Sequence, residues 1–149
     1  LNGFVISFLL AALLSIYLEK KKDIVYSKQE MISLFDSPFL DDFSINSKSD
    51  SSLALDLIIS GPLSKSVGNI AFLIIGDIDQ SLIIEYGNYC KQSFFDRDLV
   101  VTKDIREALK NEIIIAFTLL GSSKNRDIRN IQKVISLHEK NLLGFIVLT

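Results

Sequence analysis

Residues 1–18, LNGFVISFLLAALLSIYL, carry no charge, and EKKKD follows at once. Built as a helix at about 1.5 Å per residue, the run reaches roughly 27 Å, close to the hydrocarbon thickness of a bilayer. Backbone amides in lipid must be satisfied within the segment, so a single apolar run there is a helix. The pattern predicts a transmembrane helix over 1–18. Lys20, Lys21 and Lys22 then lie at the membrane interface and place the rest of the chain on the cytoplasmic side of the membrane. A signal peptide needs a basic segment ahead of its apolar stretch, and only Leu1, Asn2 and Gly3 stand there. The chain opens on Leu rather than Met, so it is expected to continue a longer protein, and this helix need not be its first.

Beyond the span the periodicity changes. Ser27 with Glu30 three residues later reads as a capping box opening a short helix over 28–35. Ser37-Pro38 closes it, because the residue before proline leaves the α region. The serine-rich, polar stretch 41–52 (DDFSINSKSDSS) reads as a flexible linker, so 19–52 is expected to be a juxtamembrane helix plus linker. A helix over 53–59 is expected to stop at Ser60-Gly61-Pro62.

From residue 70 the punctuation becomes regular. IAFLII (70–75) is a short, continuous apolar run ended by Gly76, the signature of a strand buried on both faces. A helix over 81–92, a short strand over 98–102 and a helix over 103–110 follow. EIIIAFTLL (112–120) is a second buried strand. The helix over 125–140 places Ile128, Ile131, Ile135 and His138 on one face and Lys124, Arg126, Arg129 and Lys133 on the other. LGFIVL (143–148) is the last strand. This β-α-β-α-β-α-β order over 53–149 predicts an α/β domain, a small Rossmann-like three-layer sandwich on a mainly parallel four-stranded sheet.

Composition narrows the function classes. The chain has 149 residues, a net charge of −2 and a pI near 5.4, which argues against nucleic acid as a partner. With one cysteine, Cys90, and one histidine, His138, neither a disulfide framework nor a zinc site of His and Cys ligands can form within it. A Cys-His catalytic pair would have to use these two, and both fall at apolar-face spacing in predicted helices.

In a parallel α/β sheet, ligands bind beyond the carboxyl ends of the strands, so the loops after Ile75, Thr102 and Leu120 are those to interrogate. A phosphate loop needs converging glycine amides and a lysine. The loop Gly76, Asp77, Ile78, Asp79, Gln80, Ser81 has one glycine, and no lysine occurs between Lys65 and Lys91. Asp77 and Asp79 would repel a polyphosphate unless a divalent ion lay between them. The simpler reading is a strand-to-helix turn with Asp79 at the positive end of the next helix. Gly121, Ser122, Ser123 and Lys124 open the long helix, where backbone amides and the lysine form a possible anion site or, more simply, a cap. The basic face of that helix is compatible with anionic lipid or with plain solvent. Asp96-Arg97-Asp98 precedes its strand and reads as a solvated turn.

The juxtamembrane stretch EKKKDIVYSKQEMISLFDSPFLDDFS resembles the region after the second transmembrane helix of bacterial polysaccharide chain-length determinants, or polysaccharide co-polymerases. Ser27, Glu30, Met31, Leu34, Pro38 and Leu40 carry that resemblance. The C-terminal stretch, through Gly121, Ser123, Leu143, Gly144, Phe145 and Ile146, is similar to the end of the tyrosine-kinase domain often fused to them. That kinase uses a Walker A loop with its lysine and a D-x-D after a strand. Here Gly76, Asp77, Asp79 and Ser81 keep only a vestige of the loop, and the lysine is missing. The resemblance implies a non-catalytic regulator or scaffold of surface-polysaccharide biosynthesis and export, with no cofactor or metal. It also implies homo-oligomers, polymerase and export components as partners, and a first transmembrane helix and extracytoplasmic domain upstream of Leu1. Two alternatives stand beside it: an active nucleotide-binding kinase-like enzyme, and an unrelated membrane-tethered α/β interaction domain.

Overall fold

The computed structural model describes residues 2–138 and 141–149, with backbone alone at 19–22 and 141. The side chains of Lys20, Lys21 and Lys22 lie outside the described residues. So do Glu139 and Lys140, at the end of the helix expected over 125–140.

Eleven regular elements follow one another among the described residues, with a single wider turn between α3 and β2. They are α1 (Asn2–Asp23), α2 (Lys28–Leu34), β1 (Phe39–Phe43), α3 (Lys48–Ile58), β2 (Ile70–Ile75), α4 (Gln80–Lys91), β3 (Leu99–Thr102), α5 (Ile105–Ala108), β4 (Ile113–Leu119), α6 (Asn125–Leu137) and β5 (Asn141–Leu148). The five strands form one sheet in the order β1-β5-β4-β2-β3, and every neighbouring pair is parallel. The apolar runs fill its middle: every residue of β2 is buried, as are Ile113 to Thr118 of β4.

Alternation along the strands splits the core in two. Phe72, Ile74, Ile115 and Phe117 point to one face, where α3 and α4 cover them with Leu55, Ile58, Ile83 and Tyr86. Ala71, Leu73, Ile114 and Ala116 point to the other, under Met31 of α2, Ala108 of α5 and Ile128 and Ile135 of α6. Helices on both faces of a parallel sheet give the expected three layers, because parallel strands need crossover connections and those crossovers bury both faces.

The sheet is larger than the sequence pattern indicated. Part of the stretch assigned to a linker is β1, which pairs with β5 from Phe39↔Phe145 to Phe43↔Leu148. Its signal was weak for physical reasons. It is a short edge strand, its register shifts between Phe39 and Asp41, and Asp41 and Asp42 interrupt the apolar alternation. Gly144 lets it approach, since a Cβ there would fall 2.5 Å from Leu40 Cγ and 2.7 Å from the Pro38 carbonyl oxygen. The polar residues that follow also belong to the fold. Ser47 caps α3 by accepting from the Asp50 amide, so the helix starts at Lys48 rather than at 53. Nor does Pro62 stop the chain sharply. Residues Ile59–Leu63 form one wider π turn that accommodates a residue with no N–H to donate.

Arg97 is likewise not a solvated turn residue. Its guanidinium donates to the carbonyls of Gly68 (2.6 Å) and Leu63 (2.8 Å) and to Ser66 Oγ (3.1 Å), and it lies over the Phe94 ring. It thereby fixes the loop that leads into β2.

In α1, Phe4, Val5, Ile6, Phe8, Leu9 and Leu10 are all exposed. Successive helical residues lie 100° apart, so apolar side chains face outward around the whole circumference. Among the described residues no helix is long and apolar enough to cross a membrane; the unbroken run of described side chains in α1 extends from Asn2 to Leu18.

Candidate functional site

The chain leaves β2 through α4 toward one face of the sheet and leaves the adjacent β4 through α6 toward the other. Two neighbouring strands whose connections diverge leave a crevice between their carboxyl ends, which is where ligands settle in open α/β sheets. Here that crevice is a cleft of ≈ 570 Å³ lined by Gly76, Asp77, Lys103, Ser122, Lys124, Asp127, Asn130 and Ile131, with Ile74 and Ile75 at its base. The three loops singled out by the sequence therefore converge.

Not all of the expected residues arrive. Gly76, Asp77, Ser122 and Lys124 line the cleft, Ser123 is fully buried beneath it, and Gly121 turns away to the segment after α1. Asp79 and Ser81 belong to α4. Asp79 is the cap, its Oδ1 accepting from both the Ser81 amide (3.1 Å) and the Ser81 hydroxyl (2.9 Å). Lys103, Asp127 and Asn130 were not singled out as site residues. Lys103 had a legible signal, being the first residue after a strand on the ligand side of the sheet; Asp127 and Asn130 reach the cleft only because of how α6 is rotated.

Two serines join the loops. Ser123 Oγ donates to the Ile75 carbonyl (2.6 Å) and accepts from the Leu119 amide (2.9 Å). Ser122 Oγ accepts from the Asp77 amide (2.7 Å). The loops lie so close that a Cβ on Gly76 would come within 2.8 Å of Ser123 Oγ and 3.1 Å of its backbone. This geometry decides what the loop after β2 can do. A phosphate cradle needs amides pointing at open space, and the Asp77 amide is already bound while Asp79 and Ser81 satisfy each other. Among the described residues no group of three His, Cys, Asp or Glu side chains is placed to hold a metal ion.

The charges that face the cleft are unspent. Among the described residues the ion pairs are Lys28 with Asp42 and Arg106 with Asp104, so Lys103, Lys124, Asp77 and Asp127 enter none. The same loop is also fastened to the end of α1. Gly121 donates to the Val25 carbonyl (2.8 Å), Val25 donates to the Ser123 carbonyl (3.0 Å), and Ile24 forms an antiparallel bridge with Lys124. Val25 itself is fully buried.

No family model, curated protein or solved structure matches this chain.

Cys90 and His138 do not form a pair. Cys90 lies on the buried side of α4, whereas His138 follows α6, which packs on the opposite face. The expectation that His138 continues the apolar face fails because the helix ends one residue earlier. His138 leaves the helical conformation (φ −96°, ψ 6°) and is exposed, with Nδ1 2.9 Å from the Val134 carbonyl oxygen.

Burial, reinforced by the Asp56 carboxylate, pushes the Cys90 thiol up from 9.0 to about 12. The unfolded chain sheds that proton near its ordinary value, so between the two the unfolded state binds fewer protons and stability falls as pH rises. The expected slope approaches ~1.4 kcal/mol per pH unit above about pH 9. Urea unfolding at about pH 8 and pH 10 checks this, since Cys90→Ala should lose most of the difference.

Proposed function

We propose that this chain is a membrane-anchored, non-catalytic regulator or scaffold acting in surface-polysaccharide biosynthesis and export, at the level of chain-length determination. One observation carries the non-catalytic part: the loops after β2 and β4 bind each other through Ser122 and Ser123, so the Asp77 amide is already taken, and the loop after β2 carries no lysine. The juxtamembrane residues Ser27, Glu30, Met31, Leu34, Pro38 and Leu40 support the polysaccharide assignment. The structure gives several of them a role: Ser27 caps α2 by accepting from the Glu30 amide, Met31 is buried under the sheet, and Leu40 packs from β1.

In this reading α1 crosses the inner membrane. The uncharged run from Leu1 to Leu18 supports that, as does the apolar surface on all sides of α1, which water would not tolerate at such size. The α/β domain lies in the cytoplasm, the chain assembles with copies of itself, and its partners are the polymerase and export components.

The test uses the full chain in lipid nanodiscs. Calorimetric titration with magnesium-ATP is expected to show no binding at millimolar nucleotide. Micromolar binding would overturn the non-catalytic part, and phosphoryl transfer lost in Asp77→Ala and Asp79→Ala would establish the nucleotide-dependent enzyme.

A further inference from the structure

We infer that the outward face of α6 is a lipid-contacting surface, with Arg126, Arg129 and Lys133 lying on anionic headgroups. This rests on the membrane reading of α1 and adds a second, electrostatic attachment to it.

The three residues fall at i, i+3 and i+7, so they form one stripe within about 60° of helix circumference. The stripe lies opposite Ile128 and Ile135, which face the sheet. All three basic side chains are exposed, and none enters an ion pair among the described residues. Asp127, the acidic residue of α6, points elsewhere, into the cleft between the carboxyl ends of β2 and β4. The stripe is therefore cationic, with no ion-pair partner among the described residues.

Position selects the partner. Lys124, the residue just before α6, is bridged to Ile24, one residue beyond the end of α1. Half-way along, Gln132 holds the stretch after α2: its Oε1 accepts from the Asp36 amide (2.7 Å) and its Nε2 donates to the Leu34 carbonyl. With both attachments made to the juxtamembrane segment, α6 stays beside the point where α1 leaves the bilayer. Anionic headgroups attract basic side chains that come within about a Debye length of them.

The experiment uses the full chain carrying Ser136→Cys, one turn beyond Lys133, labelled with a polarity-sensitive fluorophore. Buried Cys90 stays unlabelled in the folded protein. Nanodiscs of phosphatidylcholine alone are compared with nanodiscs containing phosphatidylglycerol. A blue shift is expected only with the anionic lipid, and added salt should reverse it. Each Gln substitution at Arg126, Arg129 or Lys133 should lower the ratio of lipid-bound to free α6 about fivefold. Equal emission in both discs, or a shift retained by the triple Gln variant, overturns the inference while leaving the membrane span intact. A chain that does not enter nanodiscs at all and stays soluble without detergent overturns the membrane reading and this inference with it. Unchanged circular dichroism and melting of the triple variant ensure that a lost shift reports lost charge.

Discussion

Phe145→Ala is expected to lower the free energy of unfolding by about 3–5 kcal/mol, a large part of the stability of a domain this size. The ring is fully buried in β5, between β4 and the edge strand β1. It stacks on Phe35 at 4.1 Å with the planes 12° apart, and Phe39 tilts against it at 5.7 Å. Truncation removes the apolar area and leaves a void that neither neighbour can fill without leaving its strand or turn. Denaturant unfolding of the full chain in detergent measures the loss. A change below about 1 kcal/mol would mean that the α2–β1 segment does not pack on the sheet as described.

Gly76→Ala should cost about 2–5 kcal/mol and act at a different place. At φ +108° the backbone is strained for any residue with a Cβ, and the added methyl meets both the Ser123 hydroxyl and its backbone. The β2 and β4 loops must then separate, breaking the bond from Ser123 Oγ to the Ile75 carbonyl in a buried setting. Hydrogen exchange at the Asp77 and Leu119 amides, which the two serine hydroxyls hold, reads this directly. Both amides should exchange much faster in the variant, and unchanged protection would show that the loops are not joined through these serines.

The elements legible in the sequence were those whose side chains are buried on both faces. β2 was readable to the residue, because six apolar positions bounded by Gly76 leave no other reading. The ends of β4 and of α4 shifted by only one residue. What stayed hidden was set by tertiary contacts with polar or short signatures. β1 exists because Gly144 opens room beside β5, and no local pattern at 39–43 encodes a glycine a hundred residues away. Arg97 looked like one charge in a solvated turn, since its three acceptors lie in a loop about thirty residues upstream.

The site was legible in outline. Strand order tells which loops converge, and Asp79 as a helix cap follows from spacing alone. The serine pairing did not follow, because Ser122 and Ser123 are ordinary helix-start residues until β2 and β4 are known to be neighbours. The same serine hydroxyls occupy the Asp77 amide and the Ile75 carbonyl, polar groups that would otherwise need another partner.

The bond between Val25 and the β4–α6 loop fixes where this molecule can be cut. A soluble fragment begun at residue 53, after the polar stretch, would lack an edge strand and the cover that α2 gives one face of the sheet. One begun at Val25 would keep its two backbone bonds but lose the Ile24 bridge to Lys124. The smallest piece that retains every interaction of that corner starts at Ile24, directly after α1. Helix α1 and the domain thus meet with no spacer between them, so a pull or twist on α1 is delivered at the seam between β2 and β4 and not at the free edge of the sheet.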